Sequence, residues 1–301
     1  MLFSSQLSIL PEALVIGLLV GSVYGLFSVG LSLVFGVMGI VNFAYGEFVM
    51  LGMYGAYVVS ASLHLPVYAA LPFVLIGAVP VGWVAYVVCF RGTEAVGTRT
   101  SHDQLIISLG LSIFLQTVIL EIFGPNTRNV SVQSGGNLHL LGMTLPVPQL
   151  IAFGVALVAT VALEAALART DFGRAVRAIV ADREVATLMG IRTRTVFPLA
   201  FILSTALAGL AGTILFAYYP ASPTVGQNFI LIAFVCVILG GLGDTRGAFI
   251  GGLIVGVIES LTATYWNPTL QDTIVYIAFV VTIMARPSGL FGRARHYAAR
   301  A

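Results

Sequence analysis

The stretch VNFAYGEF, residues 41–48, sets an amide, a phenol and a carboxylate (Asn42, Tyr45, Glu47) inside an otherwise hydrocarbon run. The preceding LVIGLLVGSVYGLFSVGLSLVFGVMGI carries no charge for 27 residues. A charged side chain at the centre of a bilayer costs on the order of 3 kcal/mol or more, so it faces a bundle interior or a watery cavity. Two compatible readings follow. Asn42 and Glu47 cap backbone donors freed by a helix break, or the break lines a solute path. A second interruption, VILGGLGDTRGAFIGG at 237–252, holds six glycines around Asp244 and Arg246, which pair or bind the turn's backbone. Gly-interrupted apolar segments in both halves of a chain point to a transporter binding site. The candidate path residues are Asn42, Tyr45, Gly46, Glu47, Gln116, Gly240, Gly241, Gly243 and Asp244. Gln116 lies mid-span, where an interhelical hydrogen bond also accounts for it.

Other chemistry has no carrier. His64, His102, His139 and His296 are scattered without metal-ligand spacing. No Gly-x-Ser-x-Gly elbow occurs. Cys89 and Cys236 sit in apolar context, away from any disulfide or metal pattern. All basic residues are arginine, and the absence of lysine excludes a P-loop. Neither a catalytic nor a metal site is expected, no cofactor is bound by this chain, and nucleic acid is not among its expected partners. If ATP drives it, another subunit holds the motor.

These groups must be positioned by membrane helices. Of 301 residues, 58% are hydrophobic and 9% charged, with mean hydropathy +1.02; a soluble domain has about 25% charged residues. Apolar segments run over 12–40, 47–62, 67–90, 105–123, 148–168, 197–217, 229–262 and 273–285. The expected fold is all-α: a polytopic integral membrane protein of about eight transmembrane segments, some broken or half-length, forming a single domain over 1–301. The longest polar stretch, 169–196, is far below the usual minimum of about 50 residues for a domain. No basic stretch precedes the first apolar run, so no cleaved leader is expected. Gly17, Gly21 and Gly25 form a ridge that lets two helices approach closely.

Twelve of the fourteen arginines fall in 91–104, 169–196 and the C-terminal tail. Cytoplasmic loops carry such an excess, which places these three inside and the N-terminus outside. Loops 218–228 and 263–272 then lie outside together, so 229–262 must enter and return, as two short helical pieces about the Gly-rich turn. Within 169–196, Thr170 and Asp171 can cap one helix and Asp182 a second over 183–189, with Gly190 at its C-terminal turn. Glu164 precedes this cluster and can pair with Arg169 or Arg174. The first helix carries an apolar stripe, Phe172, Val176, Ile179 and Val180. The pair either docks on a partner protein or lies on the anionic membrane surface.

Three stretches in order carry a resemblance: VFGVMGIVNFAYGEFVMLG, GRAVRAIVADREVATLMGIRTRTV and ILGGLGDTRGAFIGGLIVGVIE. Over nearly its whole length the chain resembles the smaller-type permease subunit of branched-chain amino-acid ABC importers. The resemblance implies a bacterial inner-membrane importer for branched-chain amino acids or a related small solute (an amide, urea or an aromatic acid). It also implies a homologous second permease, two cytoplasmic ATPase subunits that use the ATP, and a periplasmic substrate-binding protein. Glu184, Ala186 and Gly190 stand at the positions of a degenerate EAA-x3-G coupling loop. The implied ATPase contact is 170–194, with Arg174, Arg177, Asp182, Glu184, Ala186 and Gly190. Departures are Tyr45, where the family commonly has histidine; Asp244, commonly a small polar residue; and Val185, the second position of the EAA pattern. Tyr45 would add an aromatic face beside Glu47. The rival readings are an ion-coupled secondary transporter using Glu47 or Glu259, and a passive solute channel.

Overall fold

A computed structural model describes residues 2–94, 101–129, 136–140, 143–286 and 289–291. Arg99, Arg293, Arg295 and Arg300, which helped set the expected orientation, lie outside the described residues. The helices are α1 (Leu2–Met38), α2 (Tyr45–Leu63), α3 (Leu71–Ala85), α4 (Arg91–Glu94), α5 (Ser101–Phe123), α6 (Val147–Arg169), α7 (Asp171–Ala181), α8 (Arg183–Leu188), α9 (Thr193–Leu215), α10 (Val225–Gly240), α11 (Thr245–Tyr265) and α12 (Gln271–Ala285). A π turn, Tyr86–Phe90, joins α3 to α4. A small antiparallel hairpin, β1 (Asn137–Leu140) and β2 (Met143–Pro146), precedes α6 and was not legible in the sequence.

Seven helical stretches among the described residues are long and apolar enough to cross a membrane. The two central helices outside that set, α2 and α10, flank the expected interruptions: α2 begins at the first and α10 ends at the second. The chain does leave and return over 225–265, but as unequal pieces: α10 has 16 residues and α11 has 21. Between them Gly241 and Gly243, at φ 115° and 82°, make a turn that other L-residues rarely adopt.

α1 lies at the centre, packed against α11, α9, α6 and α10. Its apolar composition supplies no helix-to-helix preference over lipid, so close backbone approach must do so. Gly17 faces Val257, Gly21 faces Gly252 and Leu253, and Gly25 faces Phe249. The falling partner numbers make α1 and α11 antiparallel. Gly252 and Gly256 reciprocate, each pressed on the α1 backbone. Ser260 Oγ donates to Ala13 O at one end (2.7 Å), and Gly36 meets Gly243 at the other. The start of α1 therefore lies at the opposite end of the bundle from the 241–244 turn.

That turn belongs to the arginine end. Thr245 Oγ1 and Arg246 Nε donate to Glu164, near the last turn of α6; the Arg246 contact is 2.9 Å. Glu164 is thus held by Arg246 across the bundle rather than by Arg169 or Arg174, because the turn after α10 folds back onto α6. Asp244 does not pair with Arg246; its carboxylate accepts the Arg246 and Gly247 N–H groups and caps α11. Beyond α12, the Leu290 and Phe291 N–H groups donate to Leu239 and Gly240 carbonyls, closing the end of α10.

Replacing Gly256 by Val drives a side chain into the Gly17 and Gly21 backbone and separates α1 from α11. The expected loss is about 1–3 kcal/mol or more, read as a lowered melting temperature in detergent. Gly77→Ala, where nothing lies within 4 Å of the added carbon, leaves the melting temperature unchanged.

Candidate functional site

After Met38 the chain does not continue outward. Residues 39–44 double back along α1, and α2 starts beside the middle of α1 and α9. Tyr45 marks the height: its hydroxyl donates to Phe27 O (2.7 Å) and lies 3.3 Å from Ser204 O. Ser204 Oγ in turn donates to Gly30 O (2.7 Å). Gly46 is in backbone contact with Gly226, at the start of α10. α2 then runs away from the arginine end and α10 runs toward it. Two helix N-termini therefore meet head to head inside the bundle. Each carries roughly half a positive charge from its unpaired N–H groups.

Glu47 occupies that junction. It is 1% exposed, and its carboxyl lies against Gly226, so that a methyl group there would collide with it. Oε1 accepts from Ser112 Oγ at 3.0 Å, while Oε2 has no hydrogen-bond partner among the described residues. A carboxyl at a helix N-terminus is favourable by about 0.3–2 kcal/mol. One turn along α5 from Ser112, Gln116 Oε1 accepts from Gln227 Nε2 at 3.1 Å. Gln227 and Asn228 are exposed on the bundle surface. Among the described residues these two contacts are the polar links between α5 and the rest, and Ile106, Ile113, Phe114 and Ile122 on its other faces are exposed.

The expected path residues thus separate into three groups. Glu47, Gly46 and Gln116 meet at the junction. Asn42 serves the break itself: Oδ1 accepts the Ala44 N–H (3.0 Å), while Nδ2 is buried and unpartnered. Capping of the break falls to Asn42 and not to Glu47. Gly240, Gly241, Gly243 and Asp244 lie a full helix length away, at the arginine end. Tyr45 does not present a ring beside the carboxyl; it is 1% exposed and fastens α2 to α1 and α9. Ser112, Gly226 and Gln227 were missed. The signal available was the spacing of Ser112 and Gln116, four residues apart on one face of an apolar helix.

At the arginine end, α7 and α8 form as the capping residues predict. Thr170 Oγ1 accepts the Gly173 N–H (3.2 Å), and Asp182 Oδ1 accepts the Val185 N–H (3.0 Å). Gly190, at φ 88°, ends α8, and the Ile191 N–H donates to Ala186 O (3.1 Å). Arg174 pairs with Asp171, and Arg177 donates to Leu167 O. The stripe on α7 is used within the chain, since Val176 and Ile179 are buried against the bundle. What stays open is the tip of α8: Leu188 is 86% and Met189 80% exposed, with Val185 and Glu184 beside them. Ala186 is buried and anchors that tip.

An all-helical membrane bundle with a head-to-head helix break and a capped helical projection defines a transport permease. Residues 13–283 match the family described as branched-chain amino acid transport system / permease component, and the chain belongs to that family. It is 31% identical over 293 residues to the high-affinity branched-chain amino acid transport system permease protein LivH of Escherichia coli (strain K12), covering 92% of this chain and 94% of LivH. To the high-affinity branched-chain amino acid transport system permease protein BraD of Pseudomonas aeruginosa it is 29% identical, covering 94% of this chain and 95% of BraD. In fold it resembles a chain of PsaBC from Streptococcus pneumoniae in complex with Fab, with a TM-score of 0.51, 14% identity, and coverage of 97% and 98%.

Two substitutions separate junction from scaffold. Glu47→Gln keeps the bundle folded and lowers solute uptake in vesicles about tenfold, or 1.4 kcal/mol. Tyr45→Phe costs about 1 kcal/mol of stability and leaves solute preference unchanged in competition assays.

Proposed function

We propose that this chain is the membrane subunit of an ATP-driven importer for branched-chain amino acids or a related small solute. The observation that carries the reading is the exposed apolar tip of α8, Leu188 and Met189, held on a doubly capped helix pair at the arginine end. Exposed apolar side chains on a rigid projection suit a protein partner. In this reading the arginine end faces the cytoplasm of a bacterial inner membrane. Two ATPase subunits dock on 170–194 and hydrolyse the ATP. A homologous second permease completes the path, and a periplasmic binding protein delivers solute to the opposite end.

At the junction, the Glu47 carboxyl suits an ammonium group, and the N-termini of α2 and α10 suit a carboxylate. An amino-acid zwitterion offers both. Passage requires α2 and α10 to part, since Gly46 and Gly226 are in contact. Motion of α7, which packs on α6 and α1 and carries α8, supplies the lever. The path is offered by this chain and the work by its partners.

Reconstituted complexes test this. Leu188→Asp is expected to abolish co-purification of the ATPase subunits without loss of the folded permease. Glu184→Ala and Gly190→Ala are expected to keep the complex and its ATP hydrolysis but lower uptake per ATP by about tenfold, within the usual range of coupling energies. Uptake that persists without ATPase subunits in a proton gradient would overturn the proposal in favour of ion coupling.

A further inference from the structure

At the arginine end, a cleft of about 390 Å³ opens between the π turn after α3 and the first turn of α9. Arg91, Arg183 and Arg194 line it, one from each of three separate segments, together with Trp83, Val87 and Pro198. Among the described residues no acidic side chain lines it. Among the described residues none of the three arginines is in an ion pair. Arg183 is stacked on the Phe197 ring, with Cζ 4.9 Å from its centre.

The first turn of α9 sharpens the imbalance. Its N-cap is Arg192, no side chain caps it, and the turn contains Arg194 but no acid. The positive end of a helix disfavours cations and favours an anion. Guanidinium groups gathered there repel one another and the helix end until a negative group enters. The surrounding wall indicates what carries that group. Trp83 is 53% and Val88 76% exposed, and Val84 and Leu199 beside them are also open. Tryptophan marks the boundary between hydrocarbon and water, and basic pockets between membrane helices at that level hold anionic headgroups. A free anion has no use for the apolar rim.

We infer that this cleft binds the phosphate headgroup of an anionic phospholipid, with its acyl chains along the exposed face of α3. The cleft is distinct from the Glu47 junction, whereas Arg183 and Arg194 fall within the 170–194 stretch proposed to meet the ATPase, so retention of those subunits is part of the test. It ties the membrane leaflet to the start of α9, the helix whose middle carries Ser204 beside Tyr45.

The test uses the assembled transporter in detergent, titrated with phosphatidylglycerol or phosphatidylcholine and read by native mass spectrometry. Phosphatidylglycerol is expected to bind more tightly than phosphatidylcholine. Each guanidinium near the phosphate contributes about fivefold in affinity, so the double variant Arg91→Gln/Arg194→Gln is expected to lose about twenty-fivefold. Arg91→Lys/Arg194→Lys keeps the charge and most of the binding. Arg286→Gln removes a charge at the same end, outside the cleft, and leaves phosphatidylglycerol binding unchanged. Equal binding of the two lipids overturns the inference. So does displacement of phosphatidylglycerol by millimolar inorganic phosphate, which assigns the cleft to a soluble anion. Loss of the ATPase subunits from the glutamine variant with lipid binding intact also overturns it, assigning the arginines to that contact.

Discussion

The carboxyl of Glu47, lodged where two helices begin nose to nose, is the constraint around which this bundle is organised. Backbone inside a membrane must find its hydrogen bonds within the protein, and a helix start leaves several N–H groups without intrahelical partners. Placing two such starts side by side doubles that deficit and sets two positive ends together. A negative group between them offsets both. Its position requires Gly226, because a side chain there would take its space, and requires Gly46, because α10 must come into backbone contact. The break at 39–44, the short length of α10 and the polar face of α5 all follow from holding that group in place.

The rest of the bundle makes this arrangement rigid. α1 and α11 interlock through glycines on both helices, so their backbones are in van der Waals contact along much of their length. Tyr45 and Ser204 then stitch the first turn of α2 to α1 and α9. Rigid helices around a single close-packed junction let a displacement at one end arrive at the middle, because packed interiors transmit strain rather than absorb it. α7 and α8 stand at that end, fixed by their caps and by the buried Val176, Ile179 and Ala186.

Much of this was legible in the residues. The glycine ridge Gly17, Gly21, Gly25 read as a packing surface because small residues at four-residue spacing have few other uses in lipid. Thr170, Asp182 and Gly190 marked their helix ends because capping is local chemistry. The two interruptions were visible as polar clusters within apolar runs. Partners across the bundle were not legible. Glu164 had two arginines, Arg169 and Arg174, within reach of a sequence argument, and only the return of the chain at 241–244 brings Arg246 to it. Tyr45 was read as facing the carboxyl because it is two residues away, but neighbours at that spacing on a helix point to different sides. Ser112 carried no signal of its own until Glu47 was seen opposite.

α5 has an unusual standing among the central helices. Hydrocarbon side chains exchange protein neighbours for lipid tails with little change in free energy, so the apolar surface of α5 does not commit it to the bundle. Among the described residues its polar links are Ser112 to Glu47 and Gln116 to Gln227, and Phe123 packs its far end on Tyr54 and Tyr57. Interhelical side-chain hydrogen bonds in membranes average about 0.6 kcal/mol each, so the two together contribute about 1.2 kcal/mol. α5 is thus keyed to the bundle at one height while much of its remaining surface stays open, and a change at the Glu47 junction reaches it directly.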